Sequence, residues 1–354
     1  MKRIRAEILA FVMVLMLNMT VYADDASDPG TQHSIALNEL SFAVIEETNK
    51  DYVVTRTFCK DVCSGVNELG TDEIKTVLMA LGMKERTVDK LTVETLQAFA
   101  ESSSIVVTTS YTKFNEDSGI STPVSRETAL SRARDIQAAQ ENRFLQMVQN
   151  TSLRGTIDNL SDVPGEFRDS YMEVIHAAAY QGDGNYLFTV DATWLSMPFF
   201  RGYDSIGSCA MNATVTPNTR SGYYFYDIIM SDSTGAVTYS STGNINITHK
   251  ENDEDGNWYG SAGYYDLPDD SSSEAAIVRH YNFGAHYQYE GHVNYPQLES
   301  WFNSVGNYDH ATIGLNFEPS IEIEVGGEVS AFIGLDIIAT VDSRPAEIEV
   351  HHIP

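Results

Sequence analysis

The sequence predicts an α+β fold, with a small helical N-terminal region followed by an antiparallel β-sandwich-like domain. Three observations carry this reading. Of the 19 tyrosines, 15 lie from Tyr180 onward, and all three tryptophans (Trp194, Trp258, Trp301) sit there too. Upstream of about residue 170 the chain is rich in helix formers with Thr and Ser, and its apolar residues recur at helical spacing. From Tyr171 the apolar period becomes two. Short Gly and Ser turns separate the segments with almost no helix between them, which is the pattern of antiparallel sheets packed face to face.

The elements follow in order. Residues 1–23 read as a secretory signal: Lys2, Arg3 and Arg5 precede a short apolar core, and Val21-Tyr22-Ala23 offers the small residues that cleavage needs. Residues 24–34, with Pro29 and Gly30, read as a disordered leader. Residues 35–168 form the mainly helical N-terminal region, ending in a linker at 150–168 that contains Gly155, Pro164 and Gly165. Within it, 36–48 fits helix or strand equally, and Tyr52 to Phe58 is β-branched enough for a strand. Thr71 is placed to cap a helix whose Ile74, Val77, Leu78 and Leu81 share one face, with Gly82 ending it. Thr92 opens a second helix, where Leu91 and Leu96 are spaced to clasp across the cap. Ile105 to Phe114 reads as a strand, and Ser125 opens the longest helix, running to about Asn150.

The sandwich-like domain spans 171–354. Tyr186, Phe188, Val190, Ala192 and Trp194 alternate with their neighbours, and Tyr223 to Met230 forms another strand. The sharpest alternation is at 280–293, with Tyr281, Phe283, Tyr287 and Tyr289 on one face and His280, His286, Glu290 and His292 on the other. A short helix is expected between Pro296 and Val305, because Leu298, Trp301, Phe302 and Val305 share one face. Ser320 to Val325, the Gly326-Gly327 turn and Glu328 to Leu335 give the clearest hairpin signal, and Ala346 to Ile353 makes a last strand.

Charge and composition exclude several classes. Without its signal the chain carries 19 basic against 49 acidic side chains, a formal charge of −30. That field repels nucleic acid and anionic lipid, so neither is an expected partner. The run from Ile8 to Tyr22 is 15 residues long, short of the ~20 needed to cross a bilayer, so no stable membrane anchor is expected. The localisation expected is secreted and soluble, and the partner an unknown extracellular ligand or surface. Three cysteines make no scaffold. Cys59 and Cys63 are close enough to bridge as a local staple, and Cys209 reads as a small buried residue.

Candidate sites are few. Glu290 and His292, two apart on one strand face, could chelate a metal with a third ligand such as His310; the competing reading makes that face an ordinary solvated one. Glu251 to Asn257 resembles a calcium loop, but Glu251 stands where Asp belongs, and Ala262 stands where a bidentate Glu belongs. Asp253 and Asp255 therefore offer a weak calcium site, and no other cofactor is expected. Trp194, Trp258, Tyr259, Tyr264 and Tyr265 are candidates for stacking against sugar rings beside carboxylates. His-Glu-x-x-His and Gly-x-Ser-x-Gly motifs are missing, and Ser110-Tyr111-Thr112-Lys113 matches Ser-x-x-Lys only within a strand. The function expected is a secreted binding or interaction protein, possible ligands being glycans or surfaces. Two alternatives remain: a glycan-acting hydrolase using a carboxylate pair, and a membrane-acting effector using the amphipathic 125–150 helix.

Overall fold

The computed structural model describes residues 30–39, 41–50, 52–63, 68–115, 118, 120–149, 168–198, 201–210, 213–249, 260–273, 275–293 and 304–310, together with the backbone of 302–303, 319–326, 328–335 and 346–350. The signal segment, the leader up to residue 29 and the 150–167 part of the linker lie outside these residues.

In chain order the strands are β1 (Thr31–Ala36), β2 (Phe42–Lys50), β3 (Val53–Cys59), β4 (Ser104–Asn115), β5 (Ile120–Pro123), β6 (Asp169–Gly182), β7 (Asn185–Ser196), β8 (Tyr203–Ala210), β9 (Ala213–Val215) and β10 (Ser221–Asp232). They continue as β11 (Val237–Ser241), β12 (Ile245–Asn246), β13 (Thr248–His249), β14 (Gly260–Asp266), β15 (Ser271–Ser272), β16 (Ala276–Val293), β17 (Phe302–His310), β18 (Pro319–Gly326), β19 (Glu328–Leu335) and β20 (Ala346–Val350). The helices are α1 (Thr71–Ala80), α2 (Glu85–Val88), α3 (Val93–Glu101) and α4 (Arg126–Gln149).

The large sheet runs β1-β2-β3-β4-β6-β7-β16-β10-β11, with β5, β9, β12 and β15 attached at its margins. The small sheet runs β13-β14-β8-β17-β20, and β18 pairs with β19 as a separate hairpin. All pairings are antiparallel. The fold is thus mostly antiparallel sheet with few helices, sandwich-like and of the α+β class.

The large sheet is covered on both faces, and the strand period shows how. Val106, Phe114, Met172, Val174, Phe188, Val190, Trp194, Phe283, Tyr287 and Tyr289 pack against Ile206, Ala210, Tyr265 and Tyr308 of the small sheet. The intervening residues Ile105, Val107, Ile175, Ala177, Ala179 and Leu187 pack against Ile74, Val77, Leu78, Leu81, Val88, Leu96 and Phe99 from the helices. Successive side chains point to opposite faces, so one strand feeds two cores. The result is three layers: helices, large sheet, small sheet.

The helix ends explain why the helices stop where they do. At the start of α1 the Glu73 carboxylate accepts from the Gly70 N–H at 2.9 Å, so Gly70 rather than Thr71 is the cap. At its end Gly82 takes φ +110°, its N–H bonds to Met79 O at 3.0 Å, and the Met83 N–H bonds back to Leu78 O at 3.0 Å. This is the paired closure that a left-handed glycine makes possible. Thr92 caps α3 by accepting from the Thr95 N–H, while Leu91 and Leu96 are both buried across it. Ser125 accepts from the Thr128 N–H at the start of α4.

Four expectations change. The chain does not divide at 168–171: β4 and β6 pair in unbroken register from Ser104 opposite Tyr180 to Asn115 opposite Asp169. The composition shift marks where strands begin to face the aromatic interior between sheets, and the large sheet runs across it. The region 35–168 contributes strands as well as helices, and the ambiguous 36–48 segment becomes β2 for the most part. The leader is ordered from Thr31, which pairs with Glu47 as an edge strand. Finally, Phe302 to Val305 lies in β17, where Val305 stands opposite Cys209, so the 302–305 end of the helix expected over 296–305 is strand instead; 296–301 lie outside the described residues.

The two sheets are stitched by His176. Its ring is fully buried; Nδ1 lies 2.9 Å from Thr189 O and Nε2 lies 3.0 Å from Ser304 Oγ on the small sheet. The carbonyl only accepts, so Nδ1 carries the proton and Nε2 accepts from the Ser304 hydroxyl. Burial pushes this imidazole down to about 4 against the Thr189 hydrogen bond. Gly306 makes the approach possible: a Cβ there would stand 2.7 Å from His176 Cβ and Cγ. Two outcomes are expected. Gly306→Ala lowers the urea-unfolding free energy by about 1–3 kcal/mol through overpacking. His176 gives the unfolded chain the higher proton affinity, so the wild type loses about 3 kcal/mol as pH falls from 6.5 to 4. His176→Asn, followed by the same denaturation across pH, flattens that acid limb.

Candidate functional site

The helix face of the large sheet is covered from two sides. The α1 to α3 group lies over one part and α4 over another, held by Gln137 Nε2 to Leu195 O at 2.6 Å and by Arg279 Nη2 to Gln140 Oε1 at 2.7 Å. Between them runs a trench. Part of its floor is a cross-strand row in which Tyr111 stands opposite Glu173, Glu173 opposite Thr193, and Thr193 opposite Gly284. Phe225 of β10 continues the row opposite Gly284, and a Cβ on that glycine would meet the ring at 2.6 Å.

Two cavities make up the trench. The first, about 400 Å³, has Phe225, Leu195 and Leu130 among its apolar walls, with Arg86, Arg134 and Gln137 as polar arms. The second, about 340 Å³, is bounded by Arg56, Arg126, Glu47, Glu173, Thr109 and Tyr111. Lys84 lines both. Five of the chain's 22 Lys and Arg residues line these cavities, against two of its 50 Asp and Glu. On a protein of net charge −28 the trench therefore reverses the local sign.

Three of the five cations are held by ion pairs. Lys84 Nζ lies 2.6 Å from Glu173 Oε2, and the Tyr111 hydroxyl donates to Glu173 Oε1 at 2.6 Å. Burial, together with the adjacent Glu173 carboxylate, pushes the Tyr111 phenol up, so it stays protonated and donates. Arg56 Nε meets Glu47 Oε2 at 2.7 Å. Arg86 grips Asp227 through Nη2 at 2.6 Å and Nη1 at 3.3 Å, donates to Asn282 O at 2.7 Å, and stacks 4.6 Å from the Phe225 ring centre. A register shift between Phe225 and Asp227 accompanies φ +51° at Asn282, whose amide donates to Asp227 at 2.9 Å. Bulges with such backbone settings re-aim side chains at sheet margins.

Next to the trench, α3 is pinned by a buried ion pair. His286 Nδ1 lies 2.7 Å from Asp191 Oδ1, and Nε2 lies 2.9 Å from Gln288 Oε1, which also accepts from Thr95 Oγ1 on α3 at 3.1 Å. Both ring nitrogens face acceptors, so both donate and the ring is an imidazolium. Tyr223 stacks on it at 5.0 Å. Burial alone would lower its pKa, but Asp191 and the two hydrogen bonds outweigh burial and the net shift is upward.

Of the described sequence candidates Trp194 is among the residues bordering the trench, and the others fall elsewhere. Trp194 is 2% exposed and Tyr265 4% exposed, so neither offers a platform for a sugar ring. The Trp194 indole N–H instead donates to the Tyr308 hydroxyl at 3.0 Å, and Tyr308 donates to Asp204, which also receives His310 Nδ1 at 2.8 Å. A buried indole and phenol need such partners, and the space between the sheets supplies them. Tyr264 is half-buried on β14. Trp258, Tyr259, Asp253 and Asp255 lie outside the described residues. Glu290 and His292 are not joined by His310, which is committed to Asp204 in the small sheet, while His292 Nδ1 lies 3.1 Å from Asn185 Oδ1. Among the described residues no group of three His, Cys, Asp or Glu could hold a metal ion. Cys59 and Cys63 are free thiols: Cys63 Sγ donates to Cys59 O at 3.2 Å and accepts from the Val44 N–H at 3.3 Å, which fixes the local turn without a bridge. Cys209 is buried, its thiol pushed up to about 12 by burial.

Sequence reading missed the trench because its cations are scattered over residues 56 to 134 and converge only in the fold. Lys84 and Arg86, just past the helix-ending Gly82, were the available signal.

Comparisons with known proteins add little. No family model matches the chain, and no curated protein matches it. Among solved structures, the collagen-binding subdomain ACE19 of the Enterococcus faecalis surface protein ACE is similar at 6% identity and a TM-score of 0.22, over 48% of this chain and 90% of that one. A structure of manganese lipoxygenase of Gaeumannomyces graminis with part of zonadhesin of Komagataella pastoris gives 6% identity and a TM-score of 0.22, over 52% and 60%. Clostridium perfringens delta-toxin gives 7% identity and a TM-score of 0.18, over 51% and 85%. Likenesses at these scores carry no argument.

One outcome follows from the His286 pair. Its folded pKa is raised, so its contribution is complete below about 6.5 and is lost as pH rises through the folded value. The thermal melting temperature of wild type is expected to fall on that alkaline limb. His286→Gln starts lower and shows no such limb, whereas an unchanged pH profile in the variant contradicts the imidazolium assignment.

Proposed function

We propose that this chain is an exported binding protein whose trench takes an elongated anionic ligand. One observation carries the reading: basic side chains concentrate in the trench of a strongly acidic molecule. The net negative charge repels anions at long range, and the trench cations attract them locally. Cavities of 400 and 340 Å³ fall within the ~300–1,000 Å³ typical of ligand sites. Export is supported by the basic and apolar order of the first 23 residues.

Binding is favoured over turnover by the state of the trench acids. Glu47 is engaged by Arg56, and Glu173 by Lys84 and Tyr111, so neither stands poised as an acid or base for glycoside hydrolysis. The membrane-acting alternative loses its helix: Ala129, Ala133, Ile136, Phe144 and Met147 of α4 are buried against the large sheet. No described helix is long and apolar enough to cross a membrane.

The test is isothermal titration of the chain lacking residues 1–23 against carboxylated, sulfated and neutral oligosaccharides at two salt concentrations. Anionic ligands are expected to bind more weakly at high salt. Arg134→Glu, an exposed change on α4, weakens binding by about tenfold or more, some 1.4 kcal/mol. Equal binding of neutral and anionic ligands, indifference to Arg134→Glu, or release of cleaved product overturns the reading.

A further inference from the structure

The smaller cavity has features that narrow the ligand further. Thr109 forms part of its wall at 3% exposure, with an Oγ1 that has no hydrogen-bond partner. A hydroxyl so deeply placed and unmatched is an open request for a donor or acceptor. Gly82 stands beside it at φ +110°, and a Cβ there would lie 2.7 Å from Arg56 Nη1 and 3.4 Å from Thr109 Oγ1. The glycine thus leaves room for the guanidinium and the hydroxyl to share one recess. Arg56, Lys84 and Arg126 bring positive donors to this cavity, while Glu47 and Glu173 bring acceptors.

That mixture discriminates between anions. A sulfate group presents only acceptor oxygens, and a phosphate concentrates up to two negative charges on one small group, so Glu47 and Glu173 disfavour both. A carboxylate flanked by hydroxyls satisfies both sets: the carboxylate meets the guanidinium forks, and the hydroxyls donate to the glutamates and pair with Thr109. Next door, across the shared Lys84, the larger cavity offers half-buried apolar walls at Leu130 and Leu195 and the polar arms of Gln137 and Asn282. This suits the ring face and hydroxyls of a following sugar.

We infer that the trench selects hexuronate oligosaccharides, with one sugar-acid residue in the Thr109 cavity and its neighbour in the Phe225 cavity. The inference rests on the trench being the binding site, and its test separates the two.

The full chain lacking residues 1–23 is titrated with tetragalacturonate, with a sulfated tetrasaccharide and with inorganic phosphate. Thermal melts check that each variant is folded. Tetragalacturonate is expected to bind about tenfold tighter than either other probe, Thr109→Val to weaken it by about fivefold or more, and Thr109→Ser to restore it. Arg134→Glu weakens every anion that binds. If the sulfated probe or phosphate binds as tightly as tetragalacturonate, or if Thr109→Val has no effect, the sugar-acid assignment is overturned. The trench then survives as an anion site provided that Arg134→Glu still weakens binding. If none of the anions binds, both readings fall.

Discussion

Burial on both faces of the central strands is the constraint on which the rest of this molecule depends. β4, β6, β7 and the middle of β16 have almost no exposed side chains on either side. A sheet of this kind needs a full layer on each face, and every polar group it encloses needs a partner. Those enclosed groups are numerous here. His176 answers to Thr189 and Ser304, His286 to Asp191 and Gln288, and Asp204 to Tyr308 and His310. His176 and His286, both fully buried, have opposite protonation demands set by what faces them. A carbonyl and a hydroxyl leave His176 neutral, whereas a carboxylate and an amide oxygen charge His286.

The trench is a by-product of the same constraint. The helix face is roofed by two separate groups, α1 to α3 and α4, and their edges do not meet over the Tyr111, Glu173 and Thr193 row. Beside its apolar lining the gap holds cations braced by Glu173, Glu47 and Asp227. Wall position is set by local chemistry: the left-handed Gly82 delivers Lys84 and Arg86 to one rim, and α4 supplies Arg126 and Arg134 to the other.

Local signals in the sequence proved reliable where the physics is local. The apolar stripe of Ile74, Val77, Leu78 and Leu81, the Thr92 and Ser125 caps, and the Gly326-Gly327 hairpin register all involve residues a few positions apart. Long-range pairing was not legible. Nothing in 104–115 announces that its partner is 169–182, and so a change in aromatic content passed for a domain boundary. The 302–305 segment has a helical face in isolation, yet a waiting edge on β8 recruits it as strand. Alternation at 280–293 was read correctly in period, but its polar face was expected to be solvated or to ligate metal; His286 is instead sealed beneath α3. The candidate site was the least legible part, since Arg56, Lys84, Arg126 and Glu173 owe their proximity to three different pairings and a helix end.

Lys84 belongs to both halves of the trench, and this makes the halves thermodynamically dependent. Its ammonium is the counter-ion of a carboxylate that is 3% exposed. A guest that draws the ammonium toward the Phe225 side leaves that carboxylate undercompensated and makes the Thr109 side more repulsive to a separate anion. A single guest spanning both sides keeps the ammonium between them. By reciprocity the effect runs equally in the other direction. The arrangement therefore disfavours two independent small anions and rewards one connected molecule, a preference for length written into a single shared charge.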